Sequence, residues 1–194
     1  ILLMSHGAVV DSNGFKSQLL DFFGKMNNLL KNDNKKFAGA QTTAIKKLSP
    51  LFDLLLKIFT PVELAGIVVD FLGAIPYDEQ SKILNYEKLS LIETLVNGEL
   101  FAVQEARDML LHRIVTPLQL HLHMKVDEET PLVISIFHSL MENLQTRAAE
   151  APYVELLVPM LPTLVSLVES SSGFNGALAG SPEELIHYDI VMAL

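Results

Sequence analysis

The chain has 194 residues, of which 49% are hydrophobic and 19% are charged, and its formal net charge is −9. A chain of this length can bury a sizeable core, and its acidic balance argues against nucleic acid as the main ligand. The complete lack of cysteine excludes disulfides and thiolate chemistry and favours a cytoplasmic setting.

The first predicted helix spans residues 15–30. Its apolar residues from Phe15 to Leu30 recur at intervals of three and four, which is the spacing of one helical face. Residues 31–40 form a polar break that contains glycine. A second helix is predicted from residue 43 to residue 59, with an interruption at Pro50, because proline cannot donate the backbone hydrogen bond of a helix interior.

The third helix has the clearest start signal in the chain. Thr60 stands at the N-cap, Pro61 at the first helical position and Glu63 at the third, which together make a capping box with its favoured proline. Gly73 is positioned to end this helix. A fourth helix is predicted over residues 78–96, closed by Gly98.

A fifth helix is predicted over residues 99–115, ending before Thr116 and Pro117. Over residues 118–126, apolar and polar side chains then alternate strictly, which is typical of a β-strand. Four of the alternating positions are occupied by leucine or methionine, which are good helix formers. Both a helix and a strand therefore remain open for residues 117–126.

The last third of the chain also predicts helices. One starts at Thr130, and another covers residues 152–168, where Pro159 and Pro162 must bend or divide it. A Ser/Gly loop over residues 170–181 precedes a final helix, which begins with a second capping box at Ser181. The longest uncharged run, residues 156–168, is shorter than the roughly 18–20 residues of a membrane span, so no transmembrane segment is predicted.

These elements predict an all-α fold, a stack of about eight to ten helices that is either armadillo/HEAT-like or an irregular helical bundle, in a single domain over residues 1–194. The stretch 152–173, an apolar helix with a proline start and a Ser/Gly exit, resembles the inner helix of armadillo or HEAT repeats. Ser-Pro and Thr-Pro pairs are irregularly spaced, so they establish no repeat period. Apolar residues at both ends favour a segment of a longer helical array.

Two histidines are the candidate metal ligands. On a strand, His121 and His123 would point to one face and present two ligands, whereas on a helix they would diverge by about 200°. No spacing identifies a third ligand, so we interpret both as solvent-facing and predict no metal site. Glu128 and Glu129 are interpreted as a solvated turn before a helix, where acids suit the helix dipole.

Signatures of catalysis are missing from the sequence. It contains no Gly-x-Ser-x-Gly nucleophile elbow, no Gly-x-Gly-x-x-Gly loop and no Walker loop. The carboxylates form no recognisable acid–base pair. We therefore expect neither an enzyme nor a cofactor.

A cluster of lysines is the candidate partner-binding site: Lys31, Lys35, Lys36, Lys46 and Lys47. Residues 1–60 hold eight Lys against four Asp, whereas residues 61–194 hold six Lys or Arg against 19 acids. Such a cluster can dock an acidic protein or anionic lipid headgroups. Polar residues are interleaved among these lysines, which is also typical of a solvated loop.

Two functions fit these observations. The first is a non-catalytic protein-interaction scaffold, in which stacked helices bind another protein along one face. The alternative is a helical carrier that encloses a lipid or another apolar ligand, which the mean hydropathy of +0.33 favours. The missing catalytic motifs and the apolar ends favour the scaffold.

Overall fold

The computed structural model describes residues 12–77, 81–124 and 127–146, together with Pro162. All regular elements in these residues are helical, which confirms the all-α prediction. The α-helices are α1 (Ser12–Leu30), α2 (Ala38–Leu48), α3 (Phe52–Leu55), α4 (Pro61–Ala74), α5 (Lys82–Val96), α6 (Glu99–Ala102), α7 (Gln104–Met124) and α8 (Thr130–Thr146). Short 3-10 helices cover Lys35–Phe37, Ser49–Leu51 and Asp127–Glu129.

Some predicted features lie outside the described residues. They are the apolar start of the chain, the helix over 152–168 with its armadillo or HEAT resemblance, the loop over 170–181 and the final helix. Among the helices that are described, none is long and apolar enough to cross a membrane.

The six long helices lie in two layers. Helix α4 packs between α1 and α7 in one layer, and α5 packs between α2 and α8 in the other. Helices α2, α5 and α8 begin at residues 38, 82 and 130, so the units are spaced by 44 and then 48 residues. This unequal spacing explains why the sequence shows no fixed period, although the helices do stack.

The core is one continuous cluster of apolar side chains that runs through both layers. At the α1 end it contains three buried rings, Phe23, Phe52 and Phe71. Phe52 and Phe71 pack edge to face at 5.6 Å between centroids, and Phe23 stacks on Phe52 at 6.0 Å. These contacts join α1, α3 and α4, so the short helix α3 is held by tertiary packing rather than by its own length.

The start of α4 is formed as predicted. The Thr60 hydroxyl accepts a hydrogen bond from the Glu63 backbone N–H at 3.3 Å, and the Glu63 carboxylate accepts one from the Thr60 N–H at 2.8 Å. The predicted end at Gly73 is wrong, because α4 continues to Ala74 with Ile75 as its C-cap. The prediction that the next helix ends before Gly98 is confirmed, although α5 begins only at Lys82.

The break at Pro50 is confirmed, but the second helix begins earlier than predicted. Helix α2 starts at Ala38, inside the polar segment, because the 3-10 turn before it is capped by Asn34, whose side chain accepts from the Lys36 N–H. The predicted helix over residues 99–115 is divided at Val103 into α6 and α7.

Residues 117–124 are helical, so the strand interpretation is wrong there. Helix α7 continues through Pro117, which we had expected to lie beyond its end. Leu118 and Leu122, four residues apart, are buried, whereas Leu120, which a strand would also have buried, is exposed. The burial of Leu118 and Leu122 against the core offsets the backbone hydrogen bond that is lost at Pro117.

Candidate protein-interaction surface

The five predicted lysines lie on the α1–α2 pair and its connection. Lys31 follows α1, Lys35 and Lys36 form the 3-10 turn, and Lys46 and Lys47 belong to the last turn of α2. All five are exposed. The structure therefore brings them to one helical pair but divides them between its two ends.

Lys46 differs from the other four lysines because it has an ion-pair partner. Its ammonium lies 3.0 Å from the carboxylate of Glu87 on α5, and the Glu87 side chain is only 7% exposed. The pair joins α2 to α5 and offsets the burial of the Glu87 charge. Lys46 is therefore a structural contact between units as well as a surface charge.

A buried amide fixes the geometry of the α1–α2 connection. The Gln41 side chain donates to the carbonyls of Leu29 at 3.0 Å, Leu30 at 3.2 Å and Asn32 at 2.8 Å. The carbonyls of Leu29 and Leu30 belong to the last turn of α1, where backbone acceptors lack the partners of a continuing helix, and Asn32 follows directly. Gln41 thus sets the position of α2 relative to α1.

An open apolar groove of about 510 Å³ lies between α1 and α2 and is called here the α1–α2 groove. Its lining consists of Phe22, Met26 and Leu29 from α1 and Gly39, Ala40, Thr43, Ala44, Lys47 and Leu48 from α2. Phe22 is 40% exposed, whereas its neighbour Phe23 is 4% exposed and lies in the core. The apolar face of α1 is therefore wide enough to supply both the core and a surface groove.

Two further grooves flank α5 in the other layer. The groove toward α2 has a volume of about 290 Å³, and the one toward the 3-10 helix Asp127–Glu129 has a volume of about 250 Å³. Both are lined by Tyr86 and Glu87, and Tyr86 is half exposed. Their linings mix both signs of charge, since Lys46 and Lys82 lie near Glu87 and Glu128.

His121 is buried, so its predicted exposure is wrong. Its side chain is 1% exposed, and its Nδ1 lies 3.2 Å from the Tyr77 hydroxyl and 3.3 Å from the Glu129 carboxylate. Tyr77 donates to the same carboxylate at 3.3 Å, and His121 Nε2 lies 3.4 Å from the Thr130 hydroxyl. Glu129 is buried too, which corrects the prediction of a solvated turn, whereas Glu128 is exposed.

Burial perturbs the titration of this cluster. Loss of hydration lowers the pKa of His121, and the Glu129 carboxylate opposes that shift. Burial, together with the same carboxylate, raises the pKa of Tyr77 above its usual value. Both shifts favour the neutral forms of His121 and Tyr77, in a contact that joins the segment after α4, helix α7 and the turn before α8. In the part of the chain that the structure describes, no group of three metal-binding side chains converges.

Two buried cations stabilise helix ends. Lys88 donates to the carbonyl of Ile75 at 2.6 Å, and burial, with a contribution from Arg113, lowers the pKa of Lys88 to about 8. Arg107 donates to the carbonyl of Phe101 at 3.0 Å and to that of Ala102 at 3.2 Å. The described contacts of both cations are thus with backbone groups that a helix end leaves unsatisfied.

The sequence pattern alone did not predict the α1–α2 groove. Two signals were present: the apolar face of α1 includes both Phe22 and Phe23, so it is wider than one contact with the core requires, and α2 begins with small residues from Ala38 to Ala40. Neither signal shows that the two surfaces face each other, because the groove depends on the turn that Gln41 fixes.

Comparison with known proteins places these helices in a family. The sequence profile of the "Dedicator of cytokinesis (DOCK) TPR region" matches residues 1–171. Dedicator of cytokinesis protein 3 from Mus musculus and its counterpart from Homo sapiens are each 24% identical over 163 residues, which cover 82% of this chain. The chain spans about 8% of the length of these relatives, and no solved structure matches it significantly. Because the profile covers most of its length, the chain belongs to the Dedicator of cytokinesis (DOCK) TPR region family.

Proposed function

We propose that this chain is a non-catalytic protein-interaction scaffold whose α1–α2 end attracts an acidic protein. The observation that carries the proposal is the concentration of positive charge at this end of an acidic molecule. Residues 22–50 contain six Lys and one Asp, in a chain whose net charge is −9. Membership of a family of helical TPR regions supports the scaffold.

Four of the predicted lysines are available for a partner. Within the described residues, no ion pair involves Lys31, Lys35, Lys36 or Lys47, and all four are exposed. Exposed charges of one sign raise the association rate with an oppositely charged partner, and salt screens the effect. The three grooves described above are open to solvent rather than enclosed, so they offer no support for the lipid carrier.

The test is charge reversal of the three lysines near the turn. Lys31, Lys35 and Lys36 are changed together to Glu, and binding of fluorescent poly-glutamate is measured by anisotropy at low and high salt. We expect the reversal to weaken binding by about tenfold or more at low salt, with a much smaller difference near 0.5 M salt.

The matched control reverses three exposed cations outside residues 22–50, Lys57, Lys82 and Arg113, which gives the same net charge. If the control loses as much poly-glutamate binding as the variant of Lys31, Lys35 and Lys36, the positive charge does not form a local site. If the unmodified chain does not bind poly-glutamate either, the proposed attraction is contradicted altogether.

A further inference from the structure

We infer that the α1–α2 groove binds an amphipathic helix of a partner protein, with acidic side chains flanking the apolar stripe of that helix. The inference rests on the proposed scaffold function and specifies the partner of the same surface. It combines the lysines that support the scaffold proposal with the apolar α1–α2 groove that lies between them.

The groove has the dimensions of a helix-binding site. Its lining on α2 extends from Gly39 to Leu48, which corresponds to about 14 Å along a helix axis. On α1, Phe22, Met26 and Leu29 form a ridge at helical spacing along the opposite wall. An apolar stripe of about three turns therefore fits between the walls, in the helix-in-groove mode of recognition.

The α2 wall permits a close approach. Ala40 and Ala44 are separated by one turn, and a Cβ added at Gly39 would meet no atom within 4 Å among the described residues. Large side chains of a bound helix can occupy this space without displacing those of α2. Phe22 supplies the large aromatic surface that helix-binding grooves commonly offer as an anchor.

The lysines near the α1–α2 groove favour a bound helix with acidic flanks. The lining contains Lys47 and no acidic residue, and Lys31, Lys35 and Lys36 lie beyond the end of the groove that Leu29 and Gly39 form. A helix with acidic side chains beside its apolar stripe meets a positive charge near either end of the groove. A helix with basic flanks meets like charges at the same places, which costs affinity.

The exposed residues of the groove are distinct from the core residues beside them, although Leu48 of the lining is buried in the core and Met26 packs against it. Phe23 and Leu30 face the core, whereas Phe22 and Leu29, each one residue earlier, line the groove. Substitutions at the exposed positions can therefore test binding without removing a core side chain.

Three designed peptides of about 18 residues serve as probes, since shorter isolated helices are marginal in water. The first has a leucine stripe flanked by Glu, the second keeps the Glu but replaces the leucines with Gln, and the third keeps the leucines but replaces Glu with Lys. Binding to the 194-residue chain is measured by fluorescence anisotropy. We expect the first peptide to bind at least about tenfold more tightly than either of the others.

Two kinds of variant locate the site. Phe22→Ala should lower the affinity of the chain for the first peptide by about tenfold. Ile83→Ala truncates an apolar side chain on α5 that is 67% exposed, and it should leave this affinity within about twofold of the unmodified chain. Ala40→Glu should lower the affinity for the same peptide far more than the matched Ala40→Lys does. Both Ala40 variants lie in the first turn of α2, where Glu is favourable for the helix, so a loss in Ala40→Glu is not explained by unfolding. Circular dichroism checks that each variant folds.

The outcomes separate this inference from the scaffold proposal. If the Gln peptide binds as tightly as the leucine peptide and both depend on the lysines, charge alone recruits the partner, which overturns the groove but leaves the scaffold. If the chain self-associates and Phe22→Ala abolishes that association, the occupant is a second copy and the inference is wrong. If no acidic peptide binds, both proposals fail.

Discussion

His121, Gln41 and Lys88 are polar side chains that lie inside a helical stack, and each of them is hydrogen-bonded. Gln41 and Lys88 donate to carbonyls near helix ends, and His121 lies within hydrogen-bond distance of Tyr77, Glu129 and Thr130. Burying such a group without partners would cost on the order of 1–3 kcal/mol. These residues therefore specify where one helix meets the next.

The His121 cluster predicts a pH dependence of stability. Because burial lowers the pKa of His121 in the folded chain, the unfolded chain takes up a proton first as the pH falls below about 6.5. The contribution of His121 is thus fully present above that pH and is lost as the pH falls toward the lower folded value. We expect the urea midpoint to decrease between pH 7.5 and pH 5.5, and to decrease less in His121→Gln.

The control for this prediction is His112→Gln, since His112 lies exposed on the same helix. That variant should retain the pH dependence of the unmodified chain. A His121→Gln variant that loses as much stability on acidification as the unmodified chain would contradict the assignment.

At the scale of elements, local signals in the sequence define where several helices begin. Thr60 and Glu63 form both hydrogen bonds of the capping box that starts α4, and Thr130 is the first residue of α8. Lys16 adds a contact between elements, because its ammonium lies 3.1 Å from Glu63 and 5.3 Å from the centre of the Phe59 ring. The start of α4 is therefore joined to α1 as well as being capped.

Thr60→Ala should lower the free energy of unfolding by about 1 kcal/mol, because it removes the hydrogen bond to the Glu63 N–H. Urea denaturation followed by circular dichroism measures this change. Thr94→Ala is the matched control: Thr94 is exposed inside α5, its hydroxyl donates back to the Ser90 carbonyl of the same helix, and alanine has the higher helix propensity there. A loss that is equal in both variants would mean that the cap contributes nothing specific.

Over the whole molecule, the side chains that stabilise the fold are distinct from those that remain on the surface. The two layers bury one continuous core, while the α1–α2 groove retains exposed apolar surface at one end of the described stack. In such arrays each unit is stabilised mainly by its neighbours. The end unit therefore has a face that its neighbours within the described stack do not use.

This separation predicts unequal effects for two phenylalanines of the α1 end. Phe71→Ala should reduce the free energy of unfolding by about 3–5 kcal/mol, because Phe71 is fully buried against Phe23 and Phe52. Phe22→Ala should cost much less, since Phe22 remains 40% exposed. Denaturant melts of both variants measure the difference, and comparable losses would mean that the groove belongs to the folding core.

The sequence by itself determined the helical class, the starts of α4 and α8 and the break at Pro50, because periodicity, capping boxes and proline act within a few residues. It also placed the candidate lysines on the surface. Only the tertiary structure decided that α7 continues through Pro117, that His121 is buried and that Phe22 lines a groove. Each of these depends on which helix lies opposite, since the burial of Leu118 and Leu122 offsets the proline, and the turn fixed by Gln41 brings α2 beside Phe22. Such contacts join residues distant in sequence, so no local pattern specifies them.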